Sequence, residues 1–351
     1  MPRSSRRRWI FRLMYVGYLV ALTVIAYRAY LWWMFSVPPA DLTNHVDPIR
    51  TFYGELFRRG IVDSEANSLV GDGQLPPLEI LLLGGSVAEQ VATKLEQELT
   101  LRCQRPCRVH NAALSAHTTQ DSLNKLQYLT EQGRMFDLIV VYHGINDIRM
   151  NCVPAELFRD DYSHCGWYRN IQELKQNSNL SLQRVARDGW ENLIGLGVPD
   201  PDMLDYGADI KTGPAFRQHL EAIGRLADAQ HTSFVLATFA SHFAPGYTRA
   251  AYEAGELDYA DGQYQLAIEL WGHPENVRRG LEIHNGEIHE LAASHPEWQL
   301  IDVASELQDV GNFSDVCHLS PAGIDRFVAF VADQLQPLLI TMTHDPQDNQ
   351  H

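Results

Sequence analysis

Three residues of this chain could together perform nucleophilic chemistry on an acyl group. Ser86 follows Gly84 and Gly85 at the end of an apolar run, and glycine allows the tight turn that exposes a hydroxyl nucleophile. Asp315 and His318 lie close together in the sequence, so one short loop can place the imidazole on the hydroxyl and the carboxylate on the imidazole. Residues of these types could act together, with Ser86 attacking, His318 moving the proton and Asp315 orienting the ring.

A fourth side chain could stabilise the negative charge that develops on the attacked carbonyl group. The sequence Gly144-Ile145-Asn146-Asp147 follows the apolar run DLIVVYH. A glycine beside an asparagine at the end of a strand can direct the side-chain amide toward such an oxyanion. We therefore expect Asn146 to contribute to an oxyanion hole, with Gly144 in support.

Each of these segments alone also has an ordinary structural interpretation. A G-G-S sequence is often only a turn, Asn146 could form an Asx turn, and a histidine before a helix is usually a surface or capping residue. Cys317 is an alternative nucleophile, but adjacent loop residues usually point apart, which disfavours it beside His318. His284 and His289 could suggest a metal site, but their spacing does not put them on one helical face. We expect no metal.

The order of elements along the chain indicates how these segments are brought together. Apolar runs of strand length alternate with helical patterns. Such alternation predicts a parallel sheet with helices on both faces, and parallel sheets bind ligands at the carboxyl ends of their strands. Every candidate segment falls at such an end. The predicted strands are 78–83, 108–112, 137–143, 233–238 and 299–303, and the predicted helices are 87–101, 119–131, 214–230, 275–293 and 321–338.

In this order and setting, the motifs resemble those of the SGNH/GDSL hydrolase family. Ser86 within G-G-S matches the serine block, where many members read G-D-S. Gly144 and Asn146 match the G-x-N-D block, and Asp315 and His318 match the D-x-x-H block that L-S-P-A-G follows. The resemblance covers roughly residues 78–338 without the insertions. It implies a three-layer α/β/α sandwich of the flavodoxin-like type, a Ser-His-Asp triad and no cofactor.

One block departs from the family pattern. Where the family has its oxyanion-hole glycine, the stretch NAALSA places Ala116. Alanine keeps the backbone N–H, but its methyl group narrows the freedom of the backbone. The resemblance thus implies an oxyanion hole made of the N–H groups of Ser86 and Ala116 with the Asn146 amide, and the departure bears on its geometry rather than on the reaction class.

Two insertions interrupt the family pattern. The first, 150–212, is polar and charged, unlike the greasy lid of a lipase. The second, 239–274, follows the fourth predicted strand and overhangs the site, since loops leave parallel strands there. Its aromatic residues predict either a cover over a substrate cleft or a small core of their own. These aromatic residues are Tyr247, Tyr252, Tyr259, Tyr264 and Trp271.

The N-terminus predicts a membrane segment. Residues 13–35 are apolar except for Arg28 and have the length that a bilayer core requires. Five arginines precede this run, so the positive-inside rule places the N-terminus in the cytoplasm and the remaining chain outside. A cleaved signal peptide is one alternative, disfavoured by the long apolar stretch and the lack of an A-x-A site, and a buried helix is another. The predicted division is a basic tail 1–12, an anchor 13–35, a linker and lead-in 36–75, a hydrolase domain 76–340 and a polar tail 341–351.

The charge of the chain excludes one class of partner. Six arginines and no acid lie in residues 1–36. Removing those six from the 28 Lys and Arg leaves 22 against 44 Asp and Glu, a formal charge of about −22 for the remainder. A body this acidic repels nucleic acid, so DNA and RNA are not expected partners.

Cysteines and glycosylation sequons agree with an extracytoplasmic domain. Local disulfides are conceivable between Cys103 and Cys107 and between Cys152 and Cys165, although free thiols are an open alternative. A sequon at Asn312 lies beside the proposed site, where a glycan would obstruct it. This favours a bacterial periplasm over a eukaryotic lumen; a second sequon begins at Asn179.

These observations predict a membrane-anchored serine esterase that removes short acyl groups, such as acetyl, from a small-molecule or carbohydrate ester. An acyltransferase on the same scaffold is an alternative, because hydrolysis and transfer use the same acyl-enzyme. A non-catalytic module that binds glycan through the aromatic insertion is another, disfavoured by the intact serine, asparagine, aspartate and histidine. The oligomeric state cannot be read from the sequence.

Overall fold

A computed structural model of the chain describes residues 3–34, 48–62, 76–103, 105–176 and 201–344. Two compact units are distinguished. One comprises Met1–Arg58 with Gly166–Leu196, and the other comprises Arg59–Cys165 with Gly197–His351. All the candidate site residues lie in the second unit.

The second unit is built on a five-stranded parallel sheet. The strands are β1 (Leu78–Gly84), β2 (Cys107–Asn111), β3 (Leu138–Tyr142), β4 (Ser233–Ala237) and β5 (Gln299–Ile301), in the order β2-β1-β3-β4-β5. All four pairings are parallel. This is the doubly wound order of flavodoxin-like folds, in which β2 is added on one side of β1 and the later strands are added on the other side, beginning with β3. The predicted α/β fold is confirmed.

The direction of each crossover decides which face its helix covers. The helices are α1 (Arg3–Met34), α2 (Ser86–Cys103), α3 (Thr119–Glu131), α4 (Gly166–Gln176), α5 (Thr212–Ala229), α6 (Pro274–Ser294) and α7 (Pro321–His344). Right-handed crossovers place α2, which leads back to the edge strand, opposite to α3, α5 and α6. Accordingly α2 packs against α7, whereas α5 packs against both α3 and α6. Three layers result.

Burial on both faces explains the composition of the central strands. The residues of β3 are all buried, and so are those of β1 except Glu79. The near-continuous apolar runs LEILLL and LIVVY are what a strand covered by helices on both sides requires. Burial of this core fixes the positions at which β1 and β3 end, and those ends carry Ser86 and Asn146.

The first unit contains the N-terminal apolar helix. Helix α1 includes the stretch Arg12–Ala29, which is long and apolar enough to cross a membrane, and none of this stretch is buried. Two short helices follow at Pro48–Phe52 and Glu55–Arg58. The first of these packs against α4, where the rings of Phe52 and Trp167 meet edge to face at 4.9 Å.

Some boundaries differ from the sequence prediction. Helix α7 continues to His344, beyond the predicted end at 338, because Pro337 does not end its helical pattern. The two short helices lie within residues 36–75, which the sequence indicates as linker. The five cysteines are free thiols in the structure. Asn179 and residues 345–351 lie outside the described residues, and the proposed division into domains stays a prediction.

Candidate active site

The nucleophile candidate lies at the junction of the first strand and its helix. β1 ends at Gly84, and Ser86 is the first residue of α2. The N–H groups of a helix's first turn have no partner inside the helix, and the helix dipole adds partial positive charge there. The Ser86 side chain thus lies beside N–H groups that can bind an anion, and Ser86 itself is only 7% exposed.

The loop before α7 brings the proposed base and acid onto this serine. The Nε2 atom of His318 lies 2.8 Å from the Oγ atom of Ser86. The Nδ1 atom of the same ring lies 2.7 Å from Oδ2 of Asp315. His318 and Asp315 are fully buried. The three residues that the sequence singles out therefore form one hydrogen-bonded chain from hydroxyl to carboxylate.

Backbone donors hold the Asp315 carboxylate in place. Its Oδ1 atom accepts hydrogen bonds from the backbone N–H groups of Cys317 at 2.9 Å and His318 at 2.8 Å. Its Oδ2 atom accepts one more from the N–H of Leu266 at 2.9 Å. Four donors, counting the imidazole, thus converge on one buried carboxylate, and all four require an acceptor. Because Nδ1 must then carry the proton, Nε2 of His318 is free to accept the proton of Ser86.

Cys317 is poorly suited to be the nucleophile. Its thiol is fully buried, and burial raises its pKa well above the usual range, with the neighbouring Asp315 carboxylate adding to the rise. The thiolate is the reactive form of cysteine, so this thiol is unreactive. Its Sγ atom lies 3.6 Å from Nδ1 of His318, the nitrogen that Asp315 already occupies.

The Asn146 amide has two hydrogen-bond partners, one that accepts and one that donates. Its Nδ2 atom donates to the carbonyl oxygen of His117 at 3.0 Å. Its Oδ1 atom accepts from the indole Nε1–H of Trp271 at 3.1 Å. A Cβ atom placed on Gly85 would lie only 2.6 Å from that Nδ2 atom. The absence of a side chain at Gly85 therefore leaves space for the Asn146 amide to lie against the backbone of the residue before Ser86.

The next residue, Asp147, anchors the turn that presents Asn146. Its carboxyl group is fully buried and accepts from the backbone N–H of Thr119 at 3.2 Å and from the hydroxyl of Tyr162 at 2.9 Å. Burial raises the pKa of Asp147 to about 7, and the hydrogen bonds from Thr119 and Tyr162 oppose that rise. These bonds hold the segment after β3 against α3.

Ala116 lies in the exposed loop after β2 and adopts a backbone conformation that favours glycine. Its φ angle is +66°, in the left-handed region, which is strained for a residue with a Cβ atom. Within the described part of the chain, its N–H makes no hydrogen bond and is free to donate. Ala116 thus adopts a backbone conformation typical of glycine, and its Cβ atom makes that conformation strained.

The Ala116 loop is bound to α2, the helix that begins at Ser86. Leu114 donates its backbone N–H to the carbonyl oxygen of Gly84 at 3.3 Å. Ser115 donates both its N–H and its hydroxyl to Glu89 of α2, at 3.0 and 3.1 Å. Arg59 binds the other oxygen of Glu89 at 2.7 Å and also donates to two carbonyl oxygens, one at the end of β2 and one in the loop. These contacts hold the loop beside the first turn of α2.

Gly144 is fixed from two sides. A Cβ atom at this position would lie 2.5 Å from Cγ of Phe239, whose ring stacks on Tyr142. The carbonyl oxygen of Gly144 accepts from Nδ1 of His284 at 3.1 Å, and Nε2 of that ring pairs with the hydroxyl of Thr212 at 2.9 Å. Both nitrogens of His284 are therefore occupied, and its structural task is to hold the turn that carries Asn146.

The aromatic insertion divides between cover and core. The Tyr264 ring lies over the His318 ring at 4.8 Å between centroids, and the buried Trp271 ring lies at 6.2 Å. Tyr247 and Tyr259 instead bind partners within or next to the insertion, Glu269 and the carbonyl oxygen of His242. Tyr264 thus lies where the predicted cover would be, whereas Tyr247 and Tyr259 pack against the main hydrophobic core and do not form a core of their own.

A small cavity opens beside Ser86. Its volume is about 10 Å³, which is room for roughly one water-sized group. It is bounded by the ends of β1, β3 and β4 and by the first turn of α2. The lining residues are Gly85, Ser86, Val87, Tyr142, His143, Gly144, Ile145, Asn146 and Phe239.

Sequence reasoning missed the residues that support the site rather than form it. Leu266, which donates to Asp315, and Trp271, which donates to Asn146, come from the insertion and have no motif around them. Glu89 and Arg59 fasten the Ala116 loop from positions that read as ordinary surface charges. The only signal was the abundance of aromatic residues in 239–274, which includes Trp271.

Comparisons with known proteins find similarity at the level of structure. No protein-family model matches the sequence, and no curated protein does. A GDSL-like lipase from Bacteroides thetaiotaomicron VPI-5482 is 11% identical with a TM-score of 0.39, over 74% of this chain and 88% of that one. A psychrotrophic esterase from Pseudoalteromonas sp. is 14% identical with a TM-score of 0.32, over 76% of this chain and 94% of that one.

A third similar structure is the C-terminal catalytic domain of peptidoglycan O-acetyltransferase A from Streptococcus pneumoniae. It is 12% identical with a TM-score of 0.35, over 74% of this chain and 94% of that one. At such identities the likeness is one of fold alone. The structural neighbours of this chain are GDSL-like lipases, acylhydrolases and esterases with the SGNH fold, at low sequence identity.

Proposed function

We propose that this chain is a membrane-anchored serine esterase that cleaves short acyl esters outside the cytoplasm. One observation carries the proposal: the buried chain of hydrogen bonds from Ser86 Oγ through His318 to Asp315, at 2.8 and 2.7 Å. A serine hydroxyl is a weak nucleophile unless a neighbouring base takes its proton.

The geometry supports a two-step reaction. Ser86 Oγ attacks the ester carbonyl while His318 Nε2 takes its proton, and the ring then gives that proton to the leaving alcohol. Water next attacks the acyl-enzyme with the same ring as base; the ring returns that proton to Ser86 Oγ as the bond to the acyl group breaks, and the acid leaves. Asp315 keeps the imidazole tautomer fixed and stabilises the imidazolium. The oxyanion is bound by the N–H groups of Ser86 and Ala116 and by the Asn146 amide, each worth roughly 10²–10³ in rate.

The preference for a short acyl group rests on composition. The insertion 150–212 is polar and charged, unlike the greasy lid of a lipase. The acidic body, at a formal charge of about −22 without residues 1–36, favours an uncharged carbohydrate or small ester over an anionic polymer.

Helix α1 supports the anchor. Its stretch Arg12–Ala29 is not buried and meets the length and hydropathy of a membrane span. The arginines before it place the N-terminus in the cytoplasm by the positive-inside rule. A protease-protection assay on membrane vesicles, with a tag after His351, tests this topology: digestion of the tag from the cytoplasmic side would contradict it.

The catalytic proposal is tested with the full chain in detergent. We expect hydrolysis of p-nitrophenyl acetate to exceed that of the octanoate, together with labelling by a fluorophosphonate probe. Ser86→Ala and His318→Ala should abolish turnover, and Ser86→Ala should abolish labelling. A folded parent that neither turns over nor labels would overturn the proposal. Adding an acceptor sugar and identifying the products separates hydrolysis from acyl transfer, since both begin with the same acyl-enzyme.

A further inference from the structure

Trp271 is the partner that decides which way the Asn146 amide points. The indole Nε1–H donates to Oδ1 of Asn146 at 3.1 Å, and Trp271 is only 2% exposed. On its other side the amide donates from Nδ2 to the carbonyl oxygen of His117 at 3.0 Å. These two contacts approach the amide from opposite ends, so each constrains a different atom of it.

The chemistry of the two partners allows one orientation only. An indole N–H can only donate, and a backbone carbonyl can only accept. A flipped amide would set its N–H groups against the Trp271 donor and its oxygen against the His117 carbonyl, leaving buried polar groups unpaired. With the observed orientation, one Nδ2–H is bound to His117 and the second is left to donate. The Nδ2 atom that carries it lies against Gly85, and Asn146 and Ser86 line the same small cavity.

We propose that Trp271 is a positioning residue that holds the Asn146 amide ready to donate to the oxyanion of the reaction. The proposal rests on the esterase function proposed above and deepens it. It assigns to the 239–274 insertion a role in the chemistry, because its segment 266–271 reaches both halves of the site. Leu266 at one end donates to Asp315, and Trp271 at the other end donates to Asn146.

The segment that carries Trp271 is itself fixed. The backbone N–H of Trp271 donates to the carbonyl oxygen of Ile268 at 2.9 Å. The N–H of Ile268 donates to the hydroxyl of Tyr247 at 3.0 Å, and that hydroxyl donates to Glu269 at 2.8 Å. The backbone that carries the indole is therefore held by its own short helical turn, through bonds that do not involve Asn146.

A double-mutant cycle separates positioning from simple packing. We would measure kcat and KM for p-nitrophenyl acetate on the full chain in detergent with Trp271→Phe, Asn146→Ala and both together. Phenylalanine keeps an aromatic ring but removes the N–H. We expect Trp271→Phe to lower kcat by about 10- to 100-fold with KM within about threefold, as expected for weakening one oxyanion donor. In the Asn146→Ala background it should lower kcat by less than about twofold further.

Trp298→Phe is the matched control. Trp298 is also buried, at 3% exposed, and its indole N–H donates to a side chain, the Asp228 carboxylate at 3.1 Å, which takes no part in the site. This variant should lose stability but keep kcat. If Trp271→Phe does not fold, benzothienylalanine at position 271, which replaces the indole N–H by sulfur in a ring of similar shape, takes its place.

The outcomes are distinct. An equal loss of kcat in both Asn146 backgrounds, or a kcat in Trp271→Phe within twofold of the parent, would show that Trp271 acts through packing and would overturn the proposal while the esterase function stands. A folded parent without turnover or labelling would overturn the esterase function itself and this proposal with it.

Discussion

Replacing Asp315 by asparagine tests whether this carboxylate sets the tautomer of the base. Four donors surround it: the backbone N–H groups of Cys317, His318 and Leu266 and the Nδ1–H of the His318 ring. Asparagine offers one oxygen and one NH₂ group, so one pair of donors must face an NH₂. If the oxygen stays with Cys317 and the His318 backbone, the NH₂ group faces the ring and the N–H of Leu266.

That arrangement reverses the tautomer of the His318 imidazole. Nδ1 of His318 then accepts from the asparagine, the proton moves to Nε2, and Nε2 can no longer take the proton of Ser86. The same substitution in a serine protease triad lowers kcat by about 10⁴-fold, which corresponds to about 5 kcal/mol in the barrier. The N–H of Leu266 loses its acceptor as well, and one such buried donor costs about 1–3 kcal/mol of unfolding free energy.

The assay is kcat for p-nitrophenyl acetate and urea unfolding, both on the full chain in detergent. Asp302→Asn is the control: this carboxylate accepts from Thr238 at 2.7 Å and caps a short helix, where asparagine serves equally well. We expect the control to keep kcat and Asp315→Asn to lose about 10⁴. A folded Asp315→Asn variant with kcat within tenfold of the parent would refute the reasoning that Asp315 holds the tautomer.

Three further perturbations have defined outcomes. Burial lowers the pKa of His284 to about 4, so between pH 6.5 and 4 the unfolded chain binds a proton that the folded chain does not, and the free energy of unfolding falls as the pH falls. In urea unfolding between pH 7 and 4, His284→Gln should therefore lose up to about 3 kcal/mol less of its unfolding free energy than the parent does. Equal losses in the two proteins would contradict the assignment. Gly144→Ala should cost about 1–3 kcal/mol, because the new Cβ would lie 2.5 Å from Phe239, and an unchanged urea midpoint would show that the ring gives way freely. Ala116→Gly relieves a φ of +66° and should be neutral to about 1 kcal/mol stabilising with kcat within threefold; a melting temperature several degrees lower would argue against the strain.

The sequence by itself determined the sheet and which residues are candidates for the reacting groups. Runs such as LEILLL and LIVVY are buried on both faces of the sheet, and such strands need continuous apolar sequence, which local composition shows directly. Ser86 comes after β1, Asn146 comes after β3, and His318 comes before α7, each within a recognisable motif. The carboxyl ends of parallel strands meet at one edge of the sheet. Their convergence therefore follows from the order of elements along the chain.

Only the tertiary structure decided how those groups are held. The bonds from Leu266 to Asp315 and from Trp271 to Asn146 join residues 49 and 125 positions apart, and no local pattern marks them. The left-handed backbone of Ala116 and the amide orientation of Asn146 depend on neighbours contributed by other elements. Directional hydrogen bonds between distant segments form only once the core has packed, whereas apolar periodicity is imposed residue by residue. The sequence thus indicates which residues are candidates for the chemistry, and tertiary packing sets the distances and orientations between them.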